Sequence, residues 1–324
     1  MDNISIKELD TSIYKNNICS FTKHNAFMDP DFLEIICKKV IWYGGFKGEK
    51  LLCLWPITLN THNEYIKIPF TSYVGPHWDN SFKKQAPYKW YATSQKIYKK
   101  LFEQITLNYS NFNFSLSREE DDIRAFLWWN YGKEKSCRFS PNVKYTALIN
   151  NLQSKNSTEI IQNFRIDDKR KKIKKLLDNE SNIKEVDFNI SFLSQFIDLY
   201  QITIDRAKGI ISENEIYYLE KIIKYVSDKT GKILCLTDET NRLVASQLML
   251  KDFYSTNAVA QVINTNYQRK NLLVLLVYKS IIYAKNCGSN IFDFNGANSP
   301  NRADDKHSYG ACTRQYFDLN YGSI

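Results

Sequence analysis

The residues best suited to chemistry fall late in the chain. Asp293 stands between Phe292 and Phe294 in a short apolar run. A carboxyl flanked by aromatic rings is expected to be partly desolvated, which raises its pKa toward that of a general base. The plainer alternative is a structural aspartate that bonds neighbouring backbone amides. Tyr309 follows; its phenol could deliver a proton to a leaving group, or pack as one more aromatic ring. Lys306, Arg302 and Asn295 occupy a polar stretch and could hold a phosphate or a carboxylate, or simply be solvated. Asn264, Gln268, Arg269, Lys270 and Asn271 form a polar turn before a long apolar run. Free backbone N–H groups at a helix start attract anions, and Arg269 and Lys270 add charge where the helix dipole is already positive. Upstream, Arg165 and Arg170 lie in a basic run that is either an electropositive wall or a solvated face. Tyr73 could stack on a sugar or base, or pack in a core.

Regular elements must hold these residues. Ala258 to Asn264 is apolar and β-branched, a strand; Leu272 to Cys287 reads as a helix closed by Gly288; Ser289 to Phe294 reads as a second buried strand. This βαβ unit is the expected functional centre, followed by a loop through Tyr309 and a strand from Arg314 to Leu319. Upstream, the pattern predicts a helix from Pro30 to Val40, a hairpin of Ile41–Phe46 with Leu51–Leu59, and a strand from Tyr65 to Pro69. A helix over Gln95–Tyr109, a strand over Asn111–Leu116, a short helix over Asp121–Trp129 and a strand over Val143–Ile149 follow. Ser157 to Glu180 reads as one long basic helix with Ile160, Phe164, Ile173, Leu176 and Leu177 as its buried stripe. Helices over Phe192–Ala207 and Glu213–Ser227 precede a hairpin of Lys232–Thr237 with Leu243–Phe253. Both halves run helix, hairpin, strand, helix, strand. The expected fold class is therefore mixed α/β, as two copies of one domain over residues 1–150 and 151–324, with no long Gly/Ser linker between them.

The chain has 324 residues, 43% of them hydrophobic, which is enough for two cores. Seven cysteines are scattered without a CxxC pair and four histidines show no ligand spacing, so no metal site is expected. The polar start of the sequence does not read as a signal peptide, and no apolar run reaches the roughly 18 residues of a membrane span. These features predict a cytoplasmic protein with reduced thiols. The net charge of +9 points to an anionic partner such as CoA, a nucleotide sugar, tRNA or a membrane surface. Lys, Asn, Ile and Tyr all have AT-rich codons, so base composition alone could also produce the excess lysine.

Four stretches together resemble a known family. Pro69-Phe70-Thr71-Ser72-Tyr73-Val74-Gly75-Pro76 is similar to a P-x-T-x-Y-x-G-P loop. Trp129 to Gly132, followed by Tyr145-Thr146, is similar to a W-x-G … Y-T segment. Arg165 to Leu176 resembles an R-x-x-I-[RK]-K helix, and Phe292 to Gly296 with Lys306, Tyr309 and Gly310 resembles an F-D-F-x-G … F-K-x-S-[FY]-G ending. In this order, from Pro30 to Leu319, they resemble the FemAB-like proteins, tandem GNAT-type N-acyltransferases, in their bacterial branch.

The resemblance implies two GNAT-like domains, the second binding the donor. It implies transfer of an acyl or aminoacyl group, from acyl-CoA or aminoacyl-tRNA, to an amino group on a sugar nucleotide or cell-envelope precursor. No permanently bound cofactor is implied; acyl-CoA would be a co-substrate. Asp293 and Tyr309 would be the catalytic pair, and a backbone N–H near Ile263 to Thr265 would hold the oxyanion. Asn264, Gln268, Arg269, Lys270 and Asn271 would bind the donor; Tyr73, Arg165, Arg170, Asn295, Arg302 and Lys306 would bind the acceptor. The turn from Asn264 to Asn271 has no glycine, unlike the glycine-rich turn of many CoA-binding GNAT domains. Two other readings stand beside this one: a non-catalytic binding protein with a degenerate acyltransferase fold, and an RNA-binding module built on the basic run.

Overall fold

The structure is a computed structural model that describes residues 3–17, 20–21, 25–133, 136–178, 183–206, 209–227 and 229–322, without the side chains of residues 14, 16, 178, 268–270 and 301. The chain forms two compact units, Met1–Lys144 with Gln315–Ile324, and Tyr145–Arg314. The sequence places a boundary at 150 and assigns the chain's last residues to the second domain. In the structure the crossing falls at 144/145, and residues 315–322 belong to the first unit.

The elements of the first unit are β1 (Ile4–Leu9), α1 (Thr11–Asn17), α2 (Pro30–Ile36), β2 (Lys39–Lys47), β3 (Lys50–Leu59), β4 (His77–Trp78), α3 (Asn80–Lys83), α4 (Pro87–Asn108), β5 (Phe112–Ser115) and α5 (Arg124–Trp128). The chain leaves this unit inside β6 (Arg138–Ile149). The second unit adds α6 (Ser157–Gln162), α7 (Lys171–Asp178), β7 (Lys184–Asp187), α8 (Leu193–Arg206), α9 (Glu213–Tyr225), β8 (Gly231–Thr237) and β9 (Leu243–Lys251). Then come β10 (Ser255–Ile263), α10 (Leu272–Asn286), β11 (Ile291–Asp293) and α11 (Pro300–His307), and the chain returns to the first unit within β12 (Cys312–Gly322).

Local chemistry sets the helix starts. Asp29 accepts from the Phe32 N–H, with Pro30 opening α2. Asn156 with Glu159 and Ser212 with Glu215 form capping boxes for α6 and α9. Pro87 opens α4, which therefore begins well before the predicted Gln95. The predicted strand at Tyr65–Pro69 is absent apart from one bridge between Leu59 and Tyr65. The polar stretch read as loop contains α11, opened by Pro300.

The predicted single basic helix is two helices joined by a wide turn. After α6 the chain departs from helical geometry at Arg165 (ψ 125°), whose N–H donates to the Ser308 carbonyl. Residues Ile166–Arg170 then form one π-helical turn before α7. Gly310, at φ +78°, sits where a Cβ would meet the Asn163 carbonyl at 2.8 Å. Only glycine allows that approach.

In the first unit β1, β2, β3 and β4 form an antiparallel sheet, and β5 pairs with the 318–321 stretch of β12. Its core is aromatic, with Tyr65 and Trp78 buried in it and Trp55 packed edge to face on Phe102 and Phe126. In the second unit the strand order is β6, β11, β10, β9, β8, β7. Among the described residues of this unit only the β10–β11 pair is parallel; the other neighbours run antiparallel. This second core is mostly aliphatic, with Leu275, Leu276 and Ile281 of α10 buried with Leu234, Val244 and Met249 of the sheet.

Candidate functional site

The parallel pair carries the site. β10 and β11 pair only at Ser255↔Ile291, Thr256↔Phe292 and Asn257↔Asp293. Past that point β10 continues to Ile263 along β9, with a bulge between Ala258 and Ala260. The chain after Asp293 follows β6 instead: Phe294 N donates to the Ala147 carbonyl at 3.0 Å and Ala297 N to the Tyr145 carbonyl at 2.7 Å. Two neighbouring parallel strands thus part at their carboxyl ends, the place where open α/β sheets take ligands.

Asp293 lies at the fork with no exposed surface. The buried setting expected from its flanking rings is present. Its Oδ1 accepts from Thr146 Oγ1 at 2.5 Å and from the Asn295 N–H at 2.7 Å. Thr146 Oγ1 in turn accepts from the Gly296 N–H at 3.1 Å. These bonds fix the turn of Asn295 (φ 58°) and Gly296 (φ 141°). With its carboxyl bound this way and no surface open, Asp293 holds the turn and does not face a substrate as a base.

The turn receives Lys306 from α11. Its ammonium donates to the Phe294 carbonyl at 3.2 Å and to the Gly296 carbonyl. Burial lowers the Lys306 pKa to about 8, against the opposing pull of the Asp293 charge. An ammonium has three donors, so among the described residues one is left beyond these two carbonyls. Tyr309 is 1% exposed; its ring meets Phe164 edge to face at 5.3 Å, and the Lys169 amine lies 4.9 Å from its centroid. Burial pushes the Tyr309 hydroxyl well above the ordinary tyrosine range, so it stays protonated.

Unpaired polar atoms gather here. Six buried side-chain polar atoms lack a hydrogen-bond partner among the described residues, and four of them belong to Asn257 (Nδ2 and Oδ1), Asn295 (Oδ1) and Tyr309 (hydroxyl). Native interiors leave few such atoms, and each calls for an explanation.

Other predicted residues have different duties. Asn264 donates its N–H to the Val244 carbonyl at 2.8 Å, so that N–H is not open to an oxyanion. Its side chain accepts from Asn266 N within a 3-10 turn over Thr265–Lys270. Asn271 sits at φ 56° and makes no side-chain cap to α10. The side chains of Gln268, Arg269 and Lys270 lie outside the described residues. Arg165 pairs with Asp304 at 2.7 Å at the surface, and Arg302 is exposed. Arg170 is no wall of a cleft: its guanidinium donates to the Gln162 and Phe164 carbonyls and closes the end of α6. Lys169, not singled out in the sequence, is buried and pairs with Asp305 at 2.6 Å.

Tyr73 belongs to the first unit and is 1% exposed, so it offers no stacking platform. Its ring meets Tyr316 at 5.1 Å and lies under the Arg118 guanidinium at 5.2 Å. Its φ of 62° and that of Phe70 are unusual for bulky residues. Beside it, buried His77 accepts from the Asn25 amide at 3.0 Å and donates to the Gly75 carbonyl at 3.0 Å.

Two open cavities, about 510 and 460 Å³, lie in the first unit, the larger lined by Tyr65, Asn108, Asn111 and Asn320 among others. Neither contains a residue singled out in the sequence. Among the described residues no group of three His, Cys, Asp or Glu side chains is placed to hold a metal ion, and no helix is long and apolar enough to cross a membrane.

No protein-family model matches the sequence, and no curated protein does. Solved structures match the fold over nearly the whole chain. FemX aligns at TM-score 0.68 and 10% identity, over 97% of this chain and 96% of its own. A tandem GNAT protein from the clavulanic acid biosynthesis pathway aligns at TM-score 0.57 and 9% identity, over 99% and 98%. L-PGS from Bacillus licheniformis aligns at TM-score 0.53 and 14% identity, over 97% and 92%. The chain therefore has the FemX-like tandem GNAT fold.

Proposed function

We propose that the chain is an N-acyltransferase whose reaction centre is the β10–β11 fork. The observation that carries this reading is the half-buried Lys306 ammonium held on the Phe294 and Gly296 carbonyls, in the unit where Asn257, Asn295 and Tyr309 hold buried polar atoms with no hydrogen-bond partner among the described residues. The acceptor amine attacks the acyl carbonyl carbon, and the C=O π pair moves onto oxygen. The third N–H of Lys306 stabilises that oxyanion. Collapse re-forms C=O and breaks the bond to the leaving sulfur or oxygen. Tyr309 gives its proton to the leaving group and takes one from the new amide nitrogen, so the proton count closes. Asp293 acts as a positioning residue: it holds the turn whose carbonyls hold Lys306.

The donor is acyl-CoA or aminoacyl-tRNA, with the Asn264–Asn271 turn as its anchor. The acceptor is an amine on a sugar nucleotide or a cell-envelope precursor, met by Asn295, Arg302 and Arg165. The description of the tandem GNAT structure as the form without AcCoA makes acetyl-CoA the first donor to try. The second reading, a non-catalytic binder, is favoured by one observation: the Asp293 carboxyl is bound within the protein. Turnover of acetyl-CoA and of charged tRNA with a panel of amines tests both. Turnover that Lys306→Met lowers by about a hundredfold or more supports the enzyme. Binding of a donor with no turnover across the panel supports the binder.

A further inference from the structure

We propose that the larger cavity of the first unit is a binding site for a neutral carbohydrate. The site lies apart from the acyl-transfer reading and does not depend on it. The cavity holds about 510 Å³, within the roughly 300–1,000 Å³ usual for small-molecule sites. Its walls come from the end of α4, the start of β5, the end of β12 and the turn at Asn63. Five of the twelve residues that line it are asparagines: Asn63, Asn108, Asn111, Asn113 and Asn320. The whole chain has 31 asparagines in 324 residues, so base composition alone does not account for this gathering.

The two strands place the central pair. Asn320 of β12 sits directly opposite Asn113 of β5. Their neighbours Phe112, Phe114, Leu319 and Tyr321 are buried, and the Phe112 ring stacks on Tyr65 and on Tyr321 at 4.9 Å each. Strand alternation therefore sets both carboxamides on the outer face, side by side and exposed. Asparagine is a poor strand former, and two of them opposite each other go against local preference. In natural chains such conflicts gather at functional sites.

The lining selects the ligand. It holds no Lys, Arg or His, and its one carboxylate, Glu64, accepts from Asn60 Nδ2 at 2.7 Å. A phosphate or carboxylate would meet no cation there. Amides both donate and accept. Asn113 Oδ1 is taken by the Lys67 N–H at 3.1 Å, which leaves its donor end; Asn108 Nδ2 donates to the Gln104 carbonyl at 3.1 Å, which leaves its acceptor end. The group that answers donors and acceptors together without charge is the hydroxyl. Neighbouring hydroxyls of a sugar ring set a donor beside an acceptor on one side, the pattern that the Nδ2 and Oδ1 of Asn320 can meet at once. Tyr109, half-buried in the same wall, adds aromatic surface for the sugar's C–H groups.

Isothermal titration of the full chain tests this. Glucose, galactose and N-acetylglucosamine serve as free sugars; maltotriose and chitotriose serve as ends of larger glycans. The wild type is expected to bind at least one of them. Asn320→Val should weaken that sugar about fivefold or more, the loss of two neutral hydrogen bonds, while melting at or above the wild type because valine suits a strand. Asn111→Ala, outside the regular elements, should weaken it too; Asn142→Ala, exposed in the same unit but outside the cavity, should not. If Asn320→Val melts lower than the wild type, Asn111→Ala against Asn142→Ala decides. Binding of none of the five sugars, or equal affinity in all the chains, overturns the proposal. Glucose 6-phosphate bound more tightly than glucose, and lost with Asn320→Val, overturns it as well, because the site would then read an anion. Turnover of acetyl-CoA and charged tRNA judges the acyl-transfer reading separately.

Discussion

Thr146 and Asp293 share one short hydrogen bond, 2.5 Å from hydroxyl to carboxylate, although 147 positions separate them in sequence. Neither has any exposed surface. Through it β6 and the turn after β11 are locked together, because the same hydroxyl also accepts from Gly296 N. Thr146→Val keeps the shape and removes both bonds. The expected loss is about 1–3 kcal/mol, the usual cost of leaving buried groups unpaired. Denaturant melts of the two chains measure it; an unchanged midpoint would show that the turn stands without the hydroxyl.

Lys306 makes a pH prediction. Burial lowers its pKa to about 8, below the ordinary 10.5. The unfolded chain then binds more protons than the folded one between these values, so stability rises with pH across that window. Below about pH 8 both states are protonated and the group's destabilisation is fully present. For activity the sign is opposite, since the oxyanion needs the ammonium. The alkaline limb of kcat/KM is expected near pH 8 and to be missing from the residual activity of Lys306→Met. An alkaline limb that survives in the variant belongs to another group.

Tyr309→Phe separates packing from proton transfer. The hydroxyl has no partner among the described residues, so its removal is expected to leave the melting temperature unchanged or raise it. As a general acid its loss should lower kcat by about 10²–10⁴-fold with little change in KM. A variant that is both stable and fully active would leave the ring as a packing element only.

The basic segment predicts a contrast between neighbours. Lys169 is 7% exposed and pairs with Asp305, which is 40% exposed at its side chain. Lys169→Met is expected to cost about 1–2 kcal/mol, less than a fully buried pair because Asp305 is partly screened by solvent. Lys171, exposed and paired only along the surface with Asp167, should be replaceable by Ala without change in the melting midpoint. Equal effects at the two positions would mean that burial does not set the cost.

His77 makes a prediction for the first unit. Burial lowers its pKa to about 4, and the ring is neutral, accepting from Asn25 and donating to Gly75. Protonation would set N–H against N–H. Because the unfolded histidine binds its proton near pH 6.5, the unfolded chain holds more protons between pH 6.5 and about 4. Stability should fall as pH drops through that window. His77→Gln should flatten the slope there; an identical slope would place the acid sensitivity elsewhere.

The regular elements of the second unit were legible because their signals are local. The apolar run Leu272–Cys287 is α10 to within a residue, and the β8–β9 hairpin follows its two apolar runs. The break in the basic segment was not legible. Its cause is the bond from Arg165 N to Ser308, far away in sequence, and no residue type between them announces it. Helix α11 was missed because its polar composition resembles a loop, although Pro300 is a start signal. At the site, Asp293 and Lys306 were found by residue type, but their division of labour depends on Thr146 and the Gly296 carbonyl. Asn257 escaped because a polar residue at a strand's edge reads as a boundary; only the pairing of β10 with β11 places it inside.

The return of β12 bears on how the chain matures as it leaves the ribosome. Leu319 has no exposed surface, and the Tyr321 ring stacks 4.9 Å from that of Phe112. The first unit thus lacks an inner strand until residues 315–322 have been synthesised, after every residue of 145–314. The usual order, in which the amino-terminal body completes itself before the rest is made, is closed to this chain. The later-made unit can complete itself early, while the earlier-made one waits with its aromatic interior open. That leaves the nascent first unit as the part of this protein most in need of a chaperone.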